Sequence, residues 1–442
     1  MAMVVKNNMS AISTLNTLNK NSSALSKSLE KVSSGMKINS AADDASGYAI
    51  SERMRVQIRS LDQANSNTQA GNSMMKVAEG AVSSTVDILK TLKEKVINAA
   101  NDTNTDDDRA TIQKELNQSI DQIDDNANVT YNGKYLVDGS KNTVGTVTCT
   151  AMTNQMLNTA TKAASVLTTL TNRNGESLEI ASTDKVTVSY THQGKTYSTT
   201  ASVGSLTMAS LTTIAYNAGT KAGDTGASFA FTSAGNSVIG TAASGKTVYT
   251  ADGTSAISLQ SSCSGISGQI AGFTIRITDS EGNVKKSANA SLDAFTEQIK
   301  AQNASADNAL TFQVGAKANQ SIKVGLGDMR AEALGLKGSD GTKLNISTQE
   351  KANAAINVLD NAVQKALDQQ TTIGAVESRL NYTSTNLTTA SENVQASEST
   401  IRDADMAKEM TNYTKNNVLL QAAQSMLAQA NQSSSSVLSL LQ

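Results

Sequence analysis

Ala11-Ile-Ser-Thr-Leu-Asn-Thr-Leu-Asn-Lys-Asn-Ser-Ser-Ala-Leu-Ser-Lys-Ser-Leu-Glu-Lys-Val-Ser-Ser-Gly-Met36 is the stretch on which the fold turns. Ala11, Leu15, Leu18, Ser22, Leu25, Leu29, Val32 and Met36 recur at alternating steps of four and three, the spacing of a coiled-coil seam. At 1.5 Å per residue the run predicts a helix of about 39 Å. The chain of 442 residues contains no Pro, so nothing in it breaks a long helix at its interior.

The same alternation returns after the loop Asn39 to Gly47. Met75, Ala78, Val82, Thr85, Leu89, Leu92 and Val96 predict a second helix that ends near Asn101. Thr105 then reads as an N-cap with three Asp side chains facing the helix dipole, and Ile112, Leu116, Ile120 and Ile123 supply the apolar face of a third helix. Toward the other end, Ala352, Ile356, Leu359, Val363, Ala366 and Ile373 form a seam. Val376, Leu380, Leu387, Ala390, Val394 and Ile401 continue it after a three-residue slip, giving a rod of about 75 Å. A last helix, roughly 406 to 441, carries Met406, Met410, Leu420, Ala423, Leu427, Ala430, Val437 and Leu441 on one side. Its natural partner is the first helix, and each alone buries too little apolar surface to offset its ordering entropy. Both ends are therefore expected to be disordered in the isolated chain and to fold on assembly.

Between about 141 and 307 the texture changes to Thr, Ser, Val and Gly with short alternating runs. Lys185-Val-Thr-Val-Ser-Tyr190, Lys195-Thr-Tyr-Ser-Thr199 and Phe273-Thr-Ile-Arg-Ile-Thr278 predict strands, and His192-Gln-Gly194 and Glu281-Gly-Asn283 predict turns between them. The fold class is thus mainly α with a β-rich insert. Three discontinuous parts are expected: terminal coiled-coil helices (1–43 and 402–442), a long-helix rod with a small β segment (44–140 and 308–401), and a mostly β outer insert (141–307).

Composition excludes several function classes. With 37 basic and 39 acidic residues the formal charge is −2, which provides no electrostatic footprint for nucleic acid or anionic lipid. No run approaches a membrane span, and Met1-Ala-Met-Val-Val-Lys-Asn-Asn8 lacks the apolar stretch of a secretory signal. Aromatic residues make up only 3% of the chain, short of the usual core material. His192 is the single imidazole, which excludes a His-based triad or a multi-His metal site within one chain; it reads as a surface turn residue.

Other lures are weak. Asp224-Thr-Gly-Ala-Ser228 matches the local signature of aspartic proteases but occurs once, whereas the dyad needs two carboxylates; a small-residue turn is the better reading. Gly338-Ser-Asp-Gly-Thr-Lys343 lacks phosphate-loop spacing and reads as a turn. Asp43 and Asp44, beside Gly47, read as helix caps rather than cation ligands. Cys149 and Cys263 show no metal or redox spacing, leaving either one disulfide or two unpaired thiols. No catalytic residue, metal site or cofactor is indicated.

The chain nevertheless resembles a known family. Leu25-Ser-Lys-Ser-Leu-Glu-Lys-Val-Ser-Ser-Gly-Met-Lys-Ile-Asn-Ser-Ala-Ala-Asp-Asp-Ala-Ser-Gly-Tyr-Ala-Ile-Ser51, Val77-Ala-Glu-Gly-Ala81, Ile401-Arg-Asp-Ala-Asp-Met406 and Val437-Leu-Ser-Leu-Leu441 are similar to bacterial flagellins. The resemblance covers about 140 residues at one end and 135 at the other. It implies a structural, non-enzymatic subunit of an extracellular filament used for motility, with the terminal helices forming an inner tube and long helices a second shell. Phe312-Gln-Val-Gly-Ala316 and Leu334-Gly-Leu336 look like the β segment closing that shell. The resemblance also implies export unfolded through a type III apparatus, without a cleaved signal. It further implies torque transmission through subunits that switch between two packing states.

Its implied partners are many copies of itself, flagellar cap and hook-filament junction proteins, a cytosolic chaperone for the last helix, and the animal Toll-like receptor for flagellin. Leu15, Leu18, Leu25, Leu29, Val32, Met36, Leu420, Leu427, Val437 and Leu441 are the expected subunit-packing residues, with Asp43, Asp44 and Gly47 in the inter-domain loop. The receptor surface of the family carries a string like Leu-Gln-Arg-Ile-Arg-Glu-Leu-Ala; this chain has Leu89-Lys-Thr-Leu-Lys-Glu-Lys-Val96. Thr91 and Lys95 replace the usual Arg and Leu while Glu115 matches, which implies weakened receptor activation. Three alternatives compete: a coiled-coil receptor, which needs a membrane span, a member whose insert adds an enzymatic activity, and one whose insert is adhesive.

Overall fold

The computed structural model describes residues 8–221, 228–233, 237–250 and 253–440. The helices are α1 (Met9–Ser34), α2 (Ala45–Ala99), α3 (Asp106–Ala127), α4 (Met208–Lys221), α5 (Lys286–Leu292), α6 (Gln349–Arg402) and α7 (Met406–Leu440). The strands are β1 (Thr130–Tyr131), β2 (Lys134–Tyr135), β3 (Ala151–Asn154), β4 (Lys185–His192), β5 (Lys195–Ser202), β6 (Phe229–Ser233), β7 (Val238–Thr241), β8 (Thr247–Tyr249), β9 (Ile257–Ser261), β10 (Ile270–Thr278), β11 (Phe295–Ile299), β12 (Leu310–Gln313) and β13 (Ser321–Val324). Two compact units result: Met1–Thr68 with Gln313–Gln320 and Tyr382–Gln442, and Gln69–Phe312 with Ser321–Asn381. No helix among the described residues is long and apolar enough to cross a membrane.

In the first unit α1 packs on α7. The early part of α2 meets the late part of α6 through Leu61 and Ala64 against Leu387, Ala390 and Val394. Polar side chains extend this contact: Ser384 Oγ donates to Asn65 Oδ1 at 2.7 Å and Ser391 Oγ to Asp62 Oδ1 at 3.0 Å.

The second unit begins with the remainder of α2, where Met75, Ala78, Val82, Thr85, Leu89, Leu92 and Val96 are all buried as their spacing predicts. Thr105 caps α3 in a reciprocal box with Asp108, and Leu116, Ile120 and Ile123 turn inward. Arg109, itself buried, donates to the Ala99 and Asn101 carbonyls and so closes the end of α2. On α6 the positions Ala352, Leu359, Ala366, Ile373, Leu380 and Leu387 are buried at unbroken seven-residue steps. In the first half the buried companions are Ala355 and Ala362, three places on, while Ile356 and Val363 are half-buried, so the slip suggested by the sequence does not interrupt the buried row and the helix runs through it.

Among the described residues the β-rich segment has two larger antiparallel sheets, β10-β4-β5 and β11-β3-β9-β6, and the two-stranded β7-β8. The inner faces of the two larger sheets, with α4 and α5, enclose one apolar core. Four of the chain's five Phe converge there: Phe229, Phe231, Phe273 and Phe295, with Tyr190 beside Phe229. Ring separations of 5.0 to 5.9 Å, mostly edge-to-face, add about 0.5–1.5 kcal/mol per pair beyond area burial. Scarce aromatics are concentrated rather than lacking.

The predicted hairpin turn is present: Gln193 and Gly194 both have positive φ, and a Cβ on Gly194 would lie 2.4 Å from the Thr342 carbonyl oxygen. His192 departs from its surface reading. As the last residue of β4 it is buried, with Nε2 2.9 Å from the Ser267 carbonyl, because the turn begins one residue later than the Gly-rich signal suggests. The segment is bound to α6 in the same unit: Asn361 Nδ2 donates to Ala271 O at 2.8 Å. Glu297 and Lys365 form an ion pair of 3.7 Å with side chains only 5% and 7% exposed.

Candidate functional site

The terminal pair is antiparallel, as three cross-links show: Asn8 Nδ2 to Ala430 O (3.2 Å), Asn21 Nδ2 to Leu419 O (3.3 Å) and Asn416 Nδ2 to Ser28 Oγ (3.1 Å). On α1 the less exposed positions include Ala11, Thr14, Leu18, Asn21, Leu25, Ser28 and Val32, with Ala24 and Lys31 beside them. On α7 they include Glu409, Tyr413, Asn416, Leu420, Ala423, Leu427 and Ala430, with Asn412 and Asn417 beside them. Both sets keep the alternation of three and four, so each helix presents a true seam to the other.

That seam shares Ala11, Leu18, Leu25 and Val32 with the one expected from hydrophobicity, but its companions are Thr14, Asn21 and Ser28. Leu15 and Leu29 lie outside it, 45% and 52% exposed. Helix α7 repeats the pattern, with Val418 59% and Met426 62% exposed. Each terminal helix therefore has two faces. One is covered within the chain, partly through polar side chains, and the other is open and carries apolar side chains among polar ones. Both ends are helical and paired in the single chain, which differs from their expected disorder; what stays open is the outer face. Val437 lies on α7 with its side chain outside the described residues, as is Leu441.

Two connections join this pair to α2 and α6. Gly35 takes the left-handed C-cap position of α1 and its N–H donates to Lys31 O at 2.9 Å. Met36 bridges Asp403, Lys37 N donates to Arg402 O at 2.7 Å and Ala404 N to Gly35 O at 2.9 Å. Asp43 accepts from the Asn39 and Ser40 N–H groups and the Ser40 hydroxyl, which hold its carboxyl below the usual range. Asp44 Oδ1 accepts from Ser46 N and Gly47 N at 3.0 Å, capping α2. A Cβ on Gly47 would fall 2.5 Å from Asp44 Oδ2 and 2.8 Å from Ile38 Cδ1, so a side chain there would push on the capping carboxylate. Both carboxylates are occupied by the fold's own donors.

Arg402 is a residue that sequence reasoning passed over, although it stands inside a quoted motif. Its side chain is 6% exposed and contacts Glu52, Ser51, Met36 and Tyr48. A cationic residue at the end of a predicted helix ordinarily signals favourable interaction with the dipole, and nothing in the sequence distinguishes it from that.

In the second unit, Thr91 donates to the Asp87 carbonyl on its own helix, and Lys95 Nζ pairs with Glu115 Oε2 at 3.1 Å. The Gly338 to Lys343 stretch is a turn, with Gly341 at positive φ and Asp340 paired to Lys195. Cys149 and Cys263 are both free and half-buried. Residues 224–227 of the protease-like string lie outside the described residues. Among the described residues no three His, Cys, Asp or Glu side chains gather in a metal-binding group.

Comparison with known proteins bears on these surfaces. Residues 5–142 match the model of the bacterial flagellin N-terminal helical region, and residues 356–441 that of the bacterial flagellin C-terminal helical region. The chain is 36% identical over 435 residues to a flagellin of Clostridium tyrobutyricum, covering 97% of this chain and 99% of that one. It is 30% identical over 460 residues to a flagellin of Bacillus subtilis (strain 168), covering 99% and 100%. A flagellar filament 33 kDa core protein of Treponema phagedenis is 29% identical over 441 residues, covering 99% and 100%.

Proposed function

The chain belongs to the bacterial flagellin family, and from that premise we propose which of its surfaces build the filament. It is a structural, non-enzymatic subunit of the extracellular flagellar filament that serves motility. The proposed division of labour is that Leu18, Leu25, Val32, Leu420 and Leu427 hold the terminal pair together within one copy, while Met36, past the end of α1, packs on Arg402 in the connection. Leu15 and Leu29, with Val418 and Met426, pack against neighbouring copies, and Val437 and Leu441 extend that contact. The observation that carries this reading is the row of large apolar side chains left exposed on both terminal helices, Met9, Ile12, Leu15 and Leu29 on one and Met406, Met410, Val418, Leu419 and Met426 on the other.

In the same reading residues 1–43 and 402–442 form the innermost layer, 44–140 and 308–401 the helical rod, and 141–307 the outward insert. Asp43, Asp44 and Gly47 shape the connection between the first two. Export in an unfolded state through a type III apparatus, a chaperone on α7, and docking to cap and hook-filament junction proteins are part of the same proposal. Recognition by the animal Toll-like flagellin receptor is proposed to be weak. Thr91 and Lys95 lack the family's guanidinium and apolar contact, and Lys95 already engages Glu115.

Seeded polymerisation of purified protein tests the assembly surface. Leu29→Asp is expected to abolish filaments while the near-ultraviolet circular dichroism of the insert stays native. Filaments of normal length and yield from this variant would refute the assignment.

A further inference from the structure

Arg402, the last residue of α6, is nearly enclosed, and the groups around it come from the first turns of α2 and from the linker after α1. Nη1 donates to Glu52 Oε1 at 2.6 Å and to Ser51 Oγ at 3.4 Å. Nε lies 3.2 Å from Met36 Sδ, and the guanidinium carbon is 5.4 Å from the centroid of the Tyr48 ring. Its backbone carbonyl accepts from Lys37 N, while Lys37 Nζ donates to Thr400 O at 3.0 Å. The two connections that carry the α1/α7 pair are thus tied to each other and to α2 at one side chain. Guanidinium suits this position: it is planar, permanently charged, forks toward a carboxylate and stacks on an aromatic face, whereas an ammonium does only part of this. In return Arg402 is the chief cause holding the Glu52 carboxyl below its usual range.

We infer that Arg402 is a positioning residue that sets the direction in which the α1/α7 pair leaves the α2/α6 pair, and that this direction selects the helical form of the assembled filament. The inference rests on the assembly reading above. In a head-to-tail assembly whose rotation does not close, every copy repeats the same small rotation. A change of angle inside the subunit is therefore multiplied along the filament. The other ties across the connections are backbone hydrogen bonds and the exposed Lys37 contact; Arg402 adds a charged, packed clamp with one preferred geometry. Packed junctions of this kind have discrete arrangements rather than a continuous range.

The test uses full-length Arg402→Gln and Glu52→Gln chains, each polymerised on wild-type filament seeds, with waveform read by negative-stain microscopy. Glutamine keeps reach and hydrogen bonding but removes the charge. Both variants are expected to polymerise into filaments that share one pitch different from the wild type. Arg55→Gln serves as the control, since it removes only the outer ion pairs to Glu52 and Glu398, and it is expected to keep the wild-type pitch. Wild-type pitch in Arg402→Gln and Glu52→Gln filaments overturns the inference. So does failure of both to polymerise with native helix content by circular dichroism, because the junction then serves assembly itself. Failure of the wild-type chain to polymerise would instead count against the assembly reading.

Discussion

The terminal helical pair and the β-rich insert solve the problem of apolar burial in opposite ways. In the insert, inner faces of two sheets and two helices close over Phe229, Phe231, Phe273 and Phe295, and each is turned away from solvent by its own chain. In the terminal pair the intrachain seam includes Thr14, Asn21 and Ser28, while Leu15, Leu29, Val418 and Met426 remain outside it. The insert is folded for itself. The ends divide their apolar side chains: Leu18, Leu25, Val32, Leu420 and Leu427 lie in the seam and others stand exposed, and the lesson is that a seam read from hydrophobicity alone merges the two sets.

The contrast is broken most sharply from the insert side. Phe273→Ala removes a ring that touches Phe229, Phe231 and Phe295, and is expected to destabilise the insert by about 3–5 kcal/mol. Urea unfolding followed by near-ultraviolet circular dichroism measures this. Filaments should still form below the new midpoint, the reverse of Leu29→Asp. Loss of polymerisation by a folded Phe273→Ala chain would mean that the insert also serves assembly.

The next effect is a pH slope. Burial raises the Asp293 pKa from 3.8 to about 7, outweighing hydrogen bonds from the Ile275 N–H and Asn357 that lower it; the adjoining cavity is also lined by Arg276 and Glu350. Between those values the folded chain keeps a proton that the unfolded chain has lost. Stability from this group is thus full below about pH 4 and declines as pH rises through 7. Asp293→Asn should match the wild type at pH 4 and exceed it by roughly 4 kcal/mol at pH 8. A wild-type stability that rises from pH 5 to 8, unchanged by the substitution, would show that Asp293 does not control the slope.

The smallest effect is expected where the insert meets α6. Burial pushes the Glu297 carboxyl up and the Lys365 ammonium down, so each depends on the other to remain charged. Lys365→Met should cost about 3 kcal/mol by leaving Glu297 buried without its partner, and adding Glu297→Gln should recover most of it. Equal urea midpoints for the single and double variants would contradict the pairing.

Much of this molecule is legible in its residues. The buried row Met75 to Val96, the Thr105 cap and the Gln193-Gly194 turn all follow from local rules, because helix period, capping and positive φ depend on neighbours in sequence. The enclosure of His192, the convergence of four Phe drawn from β6, β10 and β11, and the Arg402 clamp do not follow. Each depends on groups tens to hundreds of residues apart. Even within α1 the apolar pattern fits two faces equally, and hydrophobicity cannot say which is covered.

The sequence by itself determined that the ends are long uninterrupted helices, that a β-rich segment separates them, and that the family is flagellin, since Pro-free heptad spacing and ordered motifs are properties of neighbouring residues. Only the tertiary structure decided that the α1 seam against α7 runs through Thr14, Asn21 and Ser28, leaving Leu15 and Leu29 bare. Which face of a helix is buried is settled by the side chains that its partner brings, and here that partner lies some four hundred residues away along the chain.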